Sequence, residues 1–269
     1  MAQHNADNTW TSDMLQCGDI DAIRDRCHKD PSYLHDRDYI EDTPLLTAIA
    51  FDHLELVRLM LAMGADPNVD AGDGYTCLLS AIESDEAVST QIVVELIQAG
   101  ADIHATGTNG WAPLHMAAAR GHADKARLLI EAGADVNHRK DIDAWETPLM
   151  EAAFMGMPAT VRLLLDHGAD PSMRDTIQNQ TPLEMAQAAM KGPAPDVVNE
   201  LKNLNADVGV DDLFADTELP ADELAMLKDN MKDFDLAQSY VENANDIVKN
   251  GDHAEVIRIL SEAAKRHGS

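Results

Sequence analysis

The chain has 269 residues, 45% of them apolar, and a formal net charge of −28 from 48 acidic against 20 basic side chains. That charge argues against nucleic acid and anionic membrane as partners and favours positively charged protein surfaces or segments. There is no N-terminal apolar h-region and no run approaching 18 apolar residues, so neither a signal peptide nor a membrane span is expected.

Residues 1–9 are polar and expected to be disordered. Residues 10–34 read as a degenerate first unit, with Cys17-Gly18-Asp19 as a loop ahead of a helix through Ile20 and Ile23. The first complete unit follows. Thr43 caps a helix opened by Pro44, which suits a first helical turn. Leu45, Leu46, Ala48, Ile49 and Ala50 make that helix short and apolar. Asp52 and His53 break it, and a second helix carries Leu54, Val57, Met60 and Leu61 at helical spacing up to Gly64, a left-handed C-cap. Ala65-Asp66-Pro67-Asn68 then leads into an extended turn that reaches the next Thr.

The unit recurs. Thr-Pro-Leu or a variant stands at Thr43, Thr76, Ala112, Thr147 and Thr181, with steps of 33, 36, 35 and 34 residues. Gly-Ala-Asp keeps phase with it at Gly64, Gly100, Gly133 and Gly168, with Asn-Ala-Asp at Asn205. A period of about 33 residues with these two motifs resembles the ankyrin-repeat family over roughly residues 10–208. The resemblance implies an all-α solenoid of stacked helix-turn-helix units with hairpin loops and a helical C-terminal cap. A single unit cannot bury both apolar faces, so neighbours must stack. The units are read as an N-terminal cap at 10–34 and repeats at about 35–67, 68–103, 104–136, 137–171 and 172–208.

Two units are longer. Thr76 to Gly100 and Thr181 to Asn205 span 24 residues, against 21 in the others. The three extra residues are assigned to the inter-helix turn, Ser84–Ser89 in the first case. The hairpin from Asn137 to Thr147 is two residues longer than that from Asn68 to Thr76. Residues 209–269 lack Thr-Pro-Leu. They are read as an acidic connector followed by a divergent helix pair at 235–267 that caps the array, because Gly251-Asp252-His253 and the residues after it resemble a second helix.

Cys17, Cys27 and Cys77 are odd in number and lie at helix or helix-start positions, which suits buried thiols in a reducing compartment and a cytoplasmic location. Among eleven histidines no H-x-x-x-H occurs, and no C-x-x-C. The chain carries no phosphate loop, nucleophile elbow or G-x-G-x-x-G, so no metal, cofactor or catalytic residue is expected and the chain is read as non-enzymatic. The resemblance gives His115 a role in bonding locally and to the next repeat. Ala112 in place of threonine puts the local bond in question. Asn137, which matches an asparagine hydroxylated in some family members, is read as bonding the hairpin backbone.

What remains is a surface. The resemblance implies a concave face built from hairpin tips and the ends of the first helices. Tyr39, Phe51, Tyr75, Trp111 and Phe154 fall at those places by phase, Trp145 falls one position off, and Met155 lies beside them; the chain has only eleven aromatic residues. Asp42, Asp73, Asp143 and Glu146 lie between the aromatics. Such a strip suits a protein partner with Lys- or Arg-bearing segments. The chain is therefore read as a monomeric adaptor or scaffold that binds a protein through its concave surface. The alternative is an acidic inhibitor or immunity-type protein that blocks a basic or nucleic-acid-handling enzyme.

Overall fold

A computed structural model of the protein describes residues 15–37, 42–69, 71, 74–107, 110–140, 146–192, 247 and 250–267. Among these lie eleven α-helices and one 3₁₀ turn with the ranges below, residues 15–17, 247 and 250 are helical as well, and no β-strand occurs. Their order is α1 (Ile20–Lys29), the 3₁₀ turn (Pro31–His35), α2 (Pro44–Ala50), α3 (Leu54–Ala62), α4 (Cys77–Glu83) and α5 (Ala87–Gln98). There follow α6 (Pro113–Arg120), α7 (Ala123–Glu131), α8 (Pro148–Phe154), α9 (Pro158–Asp166), α10 (Pro182–Met190) and α11 (His253–His267).

The helices form two rows. Inner helices α2, α4, α6, α8 and α10 each pack on the next, and each of the first four pairs with an outer helix, α3, α5, α7 or α9. At the N-terminal end α1 lies beside α3 and the 3₁₀ turn lies on α2. At the other end α11 lies against both α10 and α9. One continuous core results, from Ile23 and Leu45 through Leu78, Ile92 and Leu114 to Leu164 and Val256.

Sequence dictates the units locally. Thr43, Thr76, Thr147 and Thr181 each accept the N–H three residues on, at 3.2–3.4 Å, and satisfy a donor that the first helical turn leaves bare. Pro follows at three of them, at Pro44, Pro148 and Pro182. The Asp of each Gly-Ala-Asp closes a turn by accepting from the backbone two residues on. Asp66, Asp102, Asp135 and Asp170 do so at 2.8–2.9 Å. Gly64 has φ +95°, and a Cβ added to it would meet nothing within 4 Å, so the left-handed backbone alone demands glycine there.

Two asparagines tie hairpin to hairpin. Asn68 donates to the Gly100 carbonyl at 3.1 Å and accepts from the Asp102 N–H at 2.7 Å. Asn137 makes the same pair of bonds with Gly168, at 3.2 Å, and Asp170, at 2.8 Å, which is the backbone-bonding role expected of it.

The three extra residues of the second unit are not in its turn. The connection is Ser84–Glu86, no longer than the 51–53 connection, while α5 has 12 residues against 9 in α3, α7 and α9. Three residues are close to one helical turn, so the outer helix lengthens and Ile92, Val93 and Leu96 still face the core. Lys125 of α7 fixes this junction. Its buried ammonium donates to the carbonyls of Ala81 at 3.0 Å and Ile82 at 3.1 Å, and to Ser84, capping the end of α4. The expectation of buried thiols is corrected at one position: Cys27 and Cys77 are buried, but Cys17 is exposed, and none of the three is in a disulfide. Cys17 ends the short helical stretch 15–17 ahead of α1, at the N-terminal end of the described array.

Candidate functional site

Of the strip inferred from the sequence, Tyr39, Asp73, Asp143 and Trp145 lie outside the described residues. The others fall into two rows. Asp42, Tyr75, Trp111 and Glu146 each stand one residue before the capping position of an inner helix, and Phe51, Phe154 and Met155 stand at inner-helix C-termini.

The second row is the more open. Phe51 is 46% and Phe154 40% exposed, among the few large apolar side chains in the described residues to be so. Met155 is half-buried. The Phe51 ring stacks on His53 at 6.3 Å. His53 in turn donates Nε2–H to the Gln16 carbonyl at 2.9 Å. The exposed ring therefore rests on an anchored one.

The first row is linked into the fold. Tyr75 is half-buried, and its hydroxyl donates to Glu83, whose other oxygen accepts from Arg120. This chain of three crosses from the second repeat into the third. Trp111 is also half-buried, and the Lys140 ammonium lies 5.6 Å from its ring centre, within cation–π range. Lys140 also pairs with Glu146 and lies 2.9 Å from Oε1 of Glu151. Lys140 and Glu151 are only 5% and 8% exposed.

Two carboxylates thus share one buried ammonium. Burial drives the Glu151 carboxyl up to about 7; Lys140 opposes that rise and the Glu146 carboxylate adds to it. Burial works to lower the Lys140 ammonium, but Glu146 and Glu151 outweigh it and raise it. The consistent reading is a Lys140–Glu146 ion pair with Glu151 as the surplus acid.

His115 lies against this cluster. It is fully buried, and Nε2 sits 3.1 Å from the His138 carbonyl and 3.2 Å from that of Glu146. The bond to the next repeat is therefore made, and it places the proton on Nε2. Nδ1 has no partner. Burial pushes the imidazole down to about 4, against the pull of the Glu146 carbonyl. Ala112 gives α6 no side-chain cap. Ala112→Thr should therefore stabilise the protein by about 1–2 kcal/mol, by capping α6 and by giving His115 Nδ1 a hydroxyl donor. The four threonines at equivalent positions show that the backbone there suits a capping threonine. A denaturant midpoint at or below that of the parent would contradict this geometry.

Sequence reasoning does not single out Glu83, Arg120, Lys140 or Glu151. Glu83 and Arg120 lie seven and eight residues after Thr76 and Ala112, places on the strip where aromatics alone draw the eye. Glu151 occupies an inner-helix position held by Thr47, Ser80, Met116 and Met185 in the other repeats. A lone charge in that column is the available signal. Among the described residues no group of three or more His, Cys, Asp or Glu is placed to hold a metal ion. No described helix is long and apolar enough to cross a membrane.

The family model for ankyrin repeats (3 copies) matches residues 14–106 and 85–175. The chain belongs to the ankyrin-repeat family. It is similar to the E3 ubiquitin-protein ligase KEG of Arabidopsis thaliana, 38% identical over 88 residues, which cover 32% of this chain and 5% of that protein. An ankyrin repeat-containing protein of Schizosaccharomyces pombe is 40% identical over 61 residues, 23% of this chain and 28% of the relative. The ankyrin repeat and KH domain-containing protein mask-1 of Caenorhabditis elegans is 32% identical over 115 residues, 42% of this chain and 4% of the relative. The chain spans only a small part of these relatives. Ankyrin repeats make it a protein–protein interaction module.

Proposed function

We propose that this ankyrin-repeat protein is a non-enzymatic, monomeric adaptor or scaffold of a reducing, cytoplasmic compartment. It holds a protein partner with a positively charged segment against the strip of Phe51, Tyr75, Trp111, Phe154 and Met155. Asp42 and Glu146 lie along that strip, and Tyr39, Asp73, Asp143 and Trp145 extend it by phase. The observation that carries the reading is the exposure of Phe51 and Phe154 at the inner-helix ends of the first and fourth repeats, Phe51 as the C-cap and Phe154 as the last helical residue. Large apolar rings on a rigid, pre-formed face are the usual anchors of an interface. The charge of −28 adds long-range attraction to a basic partner.

The test uses a partner captured from the source cell's lysate at low salt. Phe51→Ala together with Phe154→Ala should weaken its binding by about 2 kcal/mol or more and leave the fold intact with a small drop in melting temperature, since both rings are partly exposed and outside the core. Added salt should slow association more than it speeds dissociation. A partner that binds the double variant as tightly as the parent would remove the concave strip as the site.

A further inference from the structure

Three inter-helix turns in the array share one contact. A glycine in the turn meets the residue ahead of the next repeat's outer helix, or that helix's first residue. A Cβ on Gly18 would lie 3.2 Å from the His53 ring, one on Gly121 2.6 Å from Met157 Sδ, and one on Gly156 2.8 Å from His253 Cε1. His253 thus stands toward the fourth repeat as His53 stands toward the N-terminal unit. A second bond agrees. His53 donates Nε2–H to the carbonyl two residues before its glycine, Gln16, at 2.9 Å. His253 does the same to Phe154, at 2.8 Å.

The outer row repeats the match. Arg58 of α3 pairs with Glu95 of the next outer helix, and Arg162 of α9 pairs with Glu255 of α11. The sequences agree as well: Asp52-His53-Leu54-Glu55-Leu56-Val57-Arg58 against Asp252-His253-Ala254-Glu255-Val256-Ile257-Arg258. Leu56 and Val256 are both buried, as are Met60 and Leu260.

We infer that α11 is the outer helix of the fifth repeat, so that α10 and α11, with residues 191–252 between them in the sequence, form one helix pair. The slot beside α10 and α9 has a competitor in the sequence. Val197, Val198 and Leu201 follow α10 directly and end in phase at Asn205-Ala206-Asp207, yet it is α11 that lies against α10 and α9. As the last repeat among the described elements, α10 and α11 pack on the array on one side only, through α8 and α9. Its two helices therefore open together and before the central repeats.

Native-state hydrogen exchange on the full chain tests this. Amides of 253–267 and 182–190 should exchange in step and ahead of those of α6 and α7. Val256→Asp should speed both sets at least tenfold and leave α6 at the parent rate. Val198→Asp should change none of them. His253→Ala, a milder change, should reproduce the Val256→Asp pattern at smaller amplitude even if the aspartate variant fails to fold. The inference is overturned if Val198→Asp speeds 182–190 as much as Val256→Asp does. It is equally overturned if 253–267 exchanges independently of 182–190.

Discussion

Leu114→Asp should cost several kcal/mol and drop the melting temperature by more than any surface change. Leu114 is 2% exposed and belongs to α6, the middle inner helix, packed between α4 and α8. An aspartate there would stand in the apolar core. It must either lose its proton into a region without water or stay protonated at the expense of packing. Each course also removes a buried leucine, worth about 2–5 kcal/mol when truncated. Arg127→Ala, on the exposed face of the neighbouring outer helix α7, should cost only a few tenths of a kcal/mol. Thermal or urea unfolding of the two variants decides it. Equal shifts would mean that the inner and outer faces are assigned the wrong way round.

The second large effect is electrostatic. Glu151 titrates in the folded protein at about 7 against an ordinary 4.5. Between those values the native state keeps a proton that the unfolded chain has lost. Its contribution is therefore complete below pH 4.5 and is lost as pH rises through 7. His115 runs the other way, at about 4 against 6.5. The unfolded chain takes up a proton that the buried ring refuses, so this contribution is complete above pH 6.5 and is lost as pH falls through 4. At about 1.4 kcal/mol per tenfold in proton affinity, each effect is roughly 3 kcal/mol. Their slopes oppose and nearly cancel between pH 4.5 and 6.5.

Glu151→Gln removes one of the two. At pH 8 the variant should be the more stable protein by up to about 3 kcal/mol, because no surplus charge is then held beside the Lys140–Glu146 pair. On acidification from 6.5 to 4 it should lose stability steeply, since the His115 contribution is no longer offset. Urea midpoints measured at pH 4, 6 and 8 for the parent and the variant provide the check. A variant whose pH profile parallels that of the parent would show that Glu151 is ionised in the fold across this range.

The repeat architecture is legible in the sequence because each unit announces both of its ends. A capping Thr with Pro opens the inner helix, and a left-handed Gly followed by a turn-closing Asp ends the outer one. Those are short-range demands of the backbone, and they keep phase whatever the rest of the unit does. Three features are not legible, for different reasons. The extra residues of the second repeat look like a longer turn, although three residues nearly complete a helical turn and α5 absorbs them without turning its apolar face away. The linkage of Trp111 through Lys140 to Glu146 and Glu151 joins two repeats through side chains, and periodicity within one repeat cannot see it. That the helix after Gly251-Asp252-His253 caps the array is readable from its likeness to an outer helix, but its pairing with α10 is not, because 62 residues separate the two in the sequence.

The strip shows the same division. Phase puts Phe51 and Phe154 at the open ends of inner helices, where they are exposed. It also puts Tyr75 and Trp111 one residue before the capping positions. There the decisive fact is that Glu83 bonds the Tyr75 hydroxyl and Lys140 lies over the Trp111 ring, so those two rings are held within the array.

The central claim, that partners are held on the concave side, is tested most directly by site-specific photocrosslinking in the source cell. A benzophenone-bearing residue is placed singly at position 51, 154 or 127, the last on the exposed outer face of α7. The account predicts a common crosslinked partner from positions 51 and 154 and none from 127. Crosslinks to a partner from position 127, with none from 51 or 154, would contradict it and move the binding surface to the convex side.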